Sequence, residues 1–120
     1  MLQAYYGIED QGLWQLATGL GGGIARRGFV CGAVTGGALA CGLITAQQRG
    51  STREDRRGLR DESYSKIQQM IWRFEEQFGT VECRTLTGCD LLTPEGQAAF
   101  SENQIMERVC RPAVGLVVET

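Results

Sequence analysis

Between residues 28 and 48 the chain runs for 21 residues without a charged side chain, and five of those residues are glycine. No other stretch restricts the fold as strongly. Its length would suit a membrane span, since about 20 residues cross the hydrocarbon of a bilayer. Only twelve of the 21 are apolar, however, and most of those are small, so the transfer energy falls well short of a leucine-rich span. A phosphate cradle is a second option, because GLGGGIARRG at 19–28 offers flexible N–H groups followed by Arg26 and Arg27. It lacks the lysine of a Walker loop, and no strand precedes it as a dinucleotide fold requires. The third option is a buried helix over residues 30–46, with Gly32, Ala33, Gly36, Gly37 and Ala40 as a strip of small residues. Glycine costs a helix about 1 kcal/mol relative to alanine, so several in one helix imply that a neighbouring helix approaches closely. We expect this third arrangement.

A helix here also separates two thiols. Cys31 and Cys41 are ten residues apart, hence about 15 Å along the axis at 1.5 Å per residue. They cannot form a disulfide with each other while the helix is intact. Cys31 falls in the first turn, and Cys41 lies deeper, where cysteine behaves as a small hydrophobe.

The rest of the chain reads as helices too. Tyr64, Ile67, Ile71, Phe74 and Phe78 recur at three- and four-residue steps, with Ser63 available as a cap and Gly79 as a stop. A shorter helix starts near Asp10, with Leu13, Leu16, Ala17 and Leu20 on one face, and ends in the glycines at 19 and 21–23. Thr93 before Pro94 predicts a cap and a short helix to about Ser101. A last helix is expected over residues 111–118, preceded by a turn that includes Ile105 and Met106. The charged stretch at 49–62 reads as a polar connector between two helical parts. Only VGLVVE at the end offers a candidate strand. The expected class is all-α, a small bundle of about four to five helices in one domain over residues 1–120, with the glycine-rich helix buried.

Composition narrows the chemistry. The chain contains no histidine, which removes Ser-His, Cys-His and zinc-histidine schemes. With a net charge of −2, it lacks the cationic footprint of a nucleic-acid binder, and no membrane insertion is expected. Five cysteines, an odd number with no CxxC pair, argue against a secreted disulfide scaffold. The N-terminus lacks the basic and apolar regions of a signal peptide, so a reduced, cytoplasmic protein is expected. Three of the five thiols, Cys31, Cys83 and Cys110, fall near expected helix starts, where unpaired N–H groups favour a thiolate. Glu75 and Glu76 beside Arg73 read as a solvated helix face, and Trp14 and Trp72 as core or helix-contact residues.

The motifs GLGGGIAR, CGAVTG at 31–36, FEEQFGTVECRTLTG and a late cysteine at 110 occur in this order. The chain thereby resembles the C-GCAxxG-C-C family of redox-active proteins over most of its length. Residue by residue, Cys31, Cys83 and Cys110 take the places of the last three of the family's four cysteines, and Cys41 and Cys89 stand outside that set. The family's first cysteine precedes the segment that looks like QAYYGI, so its counterpart would fall before Met1. The family is similar to the non-haem part of split-Soret cytochromes c, where a cysteine-ligated cluster is proposed. The resemblance implies a helical domain that gathers distant cysteines around one point, and an all-sulfur shell suits an iron–sulfur cluster or a tetrahedral zinc.

The leading expectation is a redox or electron-transfer protein in which Cys31, Cys83 and Cys110 bind an iron–sulfur cluster or other thiophilic metal. Cys89, an upstream cysteine or a partner's thiol would complete the shell, and the redox partner is unspecified. Two alternatives stay open: metal-free thiol–disulfide chemistry by the same cysteines, and a non-catalytic helical interaction module with packing cysteines. A shortened first helix would leave apolar surface for a second copy, so a homo-oligomer is also considered.

Overall fold

A computed structural model describes residues 15–49 and 52–119. Among these, five α-helices follow one another: α1 (Gly32–Gln47), α2 (Arg53–Phe78), α3 (Cys83–Thr87), α4 (Pro94–Glu102) and α5 (Arg111–Glu119). A 3-10 turn, Thr18–Leu20, precedes them, and a π-helical turn, Met106–Cys110, leads straight into α5. The described residues thus form an all-α bundle, and VGLVVE lies in α5 rather than in a strand. No helix among them is long and apolar enough to cross a membrane. The helix expected from Asp10, like Trp14, falls mostly outside the described residues.

The glycine-rich segment is a helix whose N-cap is Cys31. It packs on α2 and α5 around a core of Val34, Met70, Phe74, Ala113 and Val117. Phe74 is fully buried, with the Phe78 ring 4.8 Å from its own. The small-residue strip serves this crossing at one position above all. A Cβ placed on Gly37 would come within 2.5 Å of Val117 Cγ1 and 2.8 Å of Met70 Sδ, whereas at Gly36 and Gly42 nothing stands within 4 Å.

Residues 53–62 of the stretch read as a polar connector are instead the first part of α2. Thr52 and Asp55 form a capping box: the Thr52 hydroxyl accepts from the Asp55 N–H at 3.1 Å, and the Asp55 carboxylate accepts from the Thr52 N–H at 3.1 Å. Glu62 then pairs with Arg49 at 2.9 Å and with Lys66 one turn on at 3.1 Å. Charged residues with good helix propensity carry this stretch without an apolar face. Ser63 therefore sits inside the helix, buried, instead of capping it. Tyr64 and Trp72 point outward, 59% and 66% exposed, so neither contributes to the core.

Both expected stop and start signals around the later helices hold. Gly79 ends α2 at φ 84°, donating to the Glu75 carbonyl. The Thr93 hydroxyl caps α4 by accepting from the Gly96 N–H at 3.0 Å, with Pro94 at the first helical position.

Candidate functional site

Two short extended segments position the first pair of thiols. Val30 and Glu82 form an isolated antiparallel bridge, in which the Cys31 N–H donates to the Val81 carbonyl at 2.7 Å and the Cys83 N–H donates to the Phe29 carbonyl at 2.6 Å. Successive residues of an extended chain alternate between faces, so Cys31 and Cys83, each one step from the bridge, share the opposite face from Val30 and Glu82. They are diagonal neighbours, a separation of about 7–8 Å in an ideal ladder. Helices begin at once on both sides, α1 after Cys31 and α3 at Cys83 itself. The pairing joins residues about fifty apart in sequence, which no local pattern announces.

A glycine turn closes one side of this pair. Gly22, Gly23, Ile24, Ala25 and Arg26 all have left-handed φ, between 50° and 70°. The three residues with side chains each cost about 1–2 kcal/mol in that conformation. Hydrogen bonds from Gly28 N–H to the Gly22 carbonyl (3.1 Å) and from Phe29 N–H to the Gly23 carbonyl (2.9 Å) hold the turn against the bridge. At Gly23 a Cβ would lie 2.7 Å from Cys83 Cβ and 2.6 Å from Phe29 N, so only glycine lets the turn reach the thiol. The triple glycine signalled this position, but its reading as a helix stop gave no hint of contact with Cys83.

Cys110 completes the arrangement from the far end of the chain. Cys31, Cys83 and Cys110 line one open cavity of about 750 Å³, together with Arg26, Phe100, Met106 and Val114. Cys110 does not sit ahead of a helix start, as Pro112 suggested, because the π-helical turn that ends at Cys110 runs into α5 with helical geometry on both sides. No free helix N-terminus therefore acts on it. Burial, the charges of Cys31 and Cys83, and Glu107 push its thiol up to about 11. Burial, followed by Cys31 and Cys89, also raises Cys83, against a hydrogen bond with Thr87 that lowers it.

The other two cysteines stay off this cavity. Cys89 is buried and its thiol donates to the Thr87 carbonyl at 3.4 Å. It stands close enough for its charge to act on Cys83 without lining the cavity. Cys41, half-buried, lines a separate cavity of about 290 Å³ between α1, α2 and α5. All five thiols are free.

The donors suit a thiophilic metal, being sulfur alone in a chain without histidine. Their grouping does not, since among the described residues no three histidine, cysteine, aspartate or glutamate side chains stand together so as to hold an ion. As placed, the thiols form a cluster around a cavity rather than a coordination shell.

Comparison with known proteins agrees with the cysteine pattern. The family model described as "putative redox-active protein (C_GCAxxG_C_C)" matches residues 1–120. No curated protein and no solved structure gives a significant match. The match spans the whole sequence, and the chain belongs to the C_GCAxxG_C_C family.

Proposed function

We propose that the chain is a thiol redox protein in which Cys31 and Cys83 cycle between dithiol and disulfide, with Cys110 as a third thiol on the same cavity. The observation that carries this reading is the Val30–Glu82 bridge, which puts Cys31 and Cys83 on one face beside open space. Oxidation removes one proton and one electron from each thiol and joins the two sulfurs. Such a disulfide requires the Cα atoms of Cys31 and Cys83 to stand about 4.4–6.8 Å apart. Five free thiols and the absence of a CxxC pair suit a reducing, cytoplasmic setting.

A second reading places an iron–sulfur cluster or zinc on Cys31, Cys83 and Cys110, with Cys89 or a thiol from another chain as the fourth ligand and electron transfer as the role. The convergence of three thiols on one cavity in a histidine-free chain favours it. These thiols would have to close on the ion, given their present grouping.

Titration in a thiol–disulfide buffer, with free thiols counted at each potential, tests the first reading. The wild-type chain should lose two of its five thiols in one two-electron step. Cys31→Ser and Cys83→Ser should each abolish that step, and Cys41→Ser should leave it. Stoichiometric iron or zinc in anaerobically prepared protein, lost in Cys31→Ser, would instead establish the second.

A further inference from the structure

Around the thiol cavity, among the described residues, Arg26 is the one charged side chain in the lining. It has no ion pair there, whereas its neighbour Arg27 lies over the Phe29 ring. Arg26 and the adjacent Arg27 are both exposed, in a chain whose net charge is −2. It is also held at φ 66°, one of the three side-chain-bearing residues in the left-handed turn. The first amides of α1, at Gly32 and Ala33, border the same space, where N–H groups without partners in their own helix add positive potential. Glu107, which acts on Cys110, is outside the lining. The volume, about 750 Å³, falls within the range of small-molecule pockets, and Phe100, Met106 and Val114 offer apolar wall.

On the reading that Cys31 and Cys83 are a redox pair, we propose that the oxidant of this pair is a small disulfide bearing carboxylates, bound with an acidic group on Arg26. Cys31 loses its proton to solvent and its sulfur attacks one sulfur of R–S–S–R. A Cys31–S–S–R bond forms, and R–S⁻ leaves and takes up a proton. Cys83 then gives its proton to water and attacks the Cys31 sulfur, releasing the second R–S⁻, which also takes up a proton. Two thiols of the protein have been oxidised to one disulfide, and R–S–S–R has been reduced to two R–SH. The reverse sequence reduces the protein with the same small thiol.

Three probes of similar size and different charge test the ligand class: 3,3′-dithiodipropionate (anionic), 2-hydroxyethyl disulfide (neutral) and cystamine (cationic). Each rate of Cys31 modification is divided by the rate of the same probe with N-acetylcysteine amide, which removes intrinsic reactivity. The wild-type ratio should favour the anionic over the cationic probe by about fivefold to tenfold. Arg26→Gln should bring that preference to unity, Arg26→Lys should keep most of it, and Arg27→Gln should leave it unchanged. Circular dichroism of each variant verifies that it is folded, and high salt should weaken the wild-type preference. A preference that is absent, or that survives in folded Arg26→Gln, overturns the substrate class while the Cys31–Cys83 pair stands. Failure of all three probes to produce a Cys31–Cys83 disulfide overturns the pair itself and the substrate class with it.

Discussion

Cys31 and Cys83 lie diagonally across the Val30–Glu82 bridge, each anchored by its own amide to the segment that carries the other. The anchors are short, 2.7 Å to the Val81 carbonyl and 2.6 Å to the Phe29 carbonyl. Two distant parts of the sequence are thereby held as one unit, from which α1 and α3 both start. The redox account rests on this unit rather than on any one cysteine.

The raised thiols make stability depend on alkaline pH. Cys83 and Cys110 hold their protons more tightly folded than unfolded, where a thiol titrates near 9.0. Their contribution is therefore complete below pH 9 and is lost as the pH climbs through the folded values, about 11 for Cys110. Thermal midpoints of the reduced protein should fall between pH 9 and pH 11, and Cys110→Ala should show a shallower fall. Equal slopes in the two proteins would contradict the burial assigned to Cys110.

The glycine turn should be intolerant where it meets Cys83. Gly23→Ala combines a positive φ with overlap against Cys83 Cβ and Phe29 N, and should cost about 1–3 kcal/mol in denaturant unfolding. The same variant should slow formation of the Cys31–Cys83 disulfide, because the turn no longer seats against Cys83. Unchanged stability and unchanged oxidation would show that the turn does not press on the thiol.

Two adjacent glycines in α1 should respond with opposite signs. Gly37→Ala drives a methyl into Val117 and Met70 and should destabilise by about 1–3 kcal/mol. At Gly36 a methyl meets nothing within 4 Å, so Gly36→Ala should stabilise by about 0.5–1 kcal/mol through helix propensity alone. Urea unfolding of both variants decides the matter, and like signs would mean that the α1 crossing is misplaced.

Much of the architecture was legible because it is local. The spacing of Ile67, Ile71, Phe74 and Phe78, the Gly79 stop and the Thr93–Pro94 start are each written within a few residues, and the helices follow them. The first third of α2 carries a capping box and ion pairs rather than apolar periodicity, so the apolar pattern alone places the start at Ser63. The left-handed run through Ile24, Ala25 and Arg26 had no sequence cue, since such residues rarely adopt that conformation. The meeting of Cys31, Cys83 and Cys110 came from the family resemblance alone, because it depends on a non-local backbone pairing and on a π-helical turn that spacing cannot encode. The state of Cys110 ran against expectation for the same reason: its surroundings come from other segments.

Peptide mapping by mass spectrometry after mild oxidation tests the central claim most directly, with the remaining free thiols alkylated before digestion. The account predicts one dominant cross-link, Cys31 to Cys83, with Cys41, Cys89 and Cys110 recovered alkylated. A dominant link that omits Cys31 or Cys83, or a scatter of modifications without a defined disulfide, would contradict it.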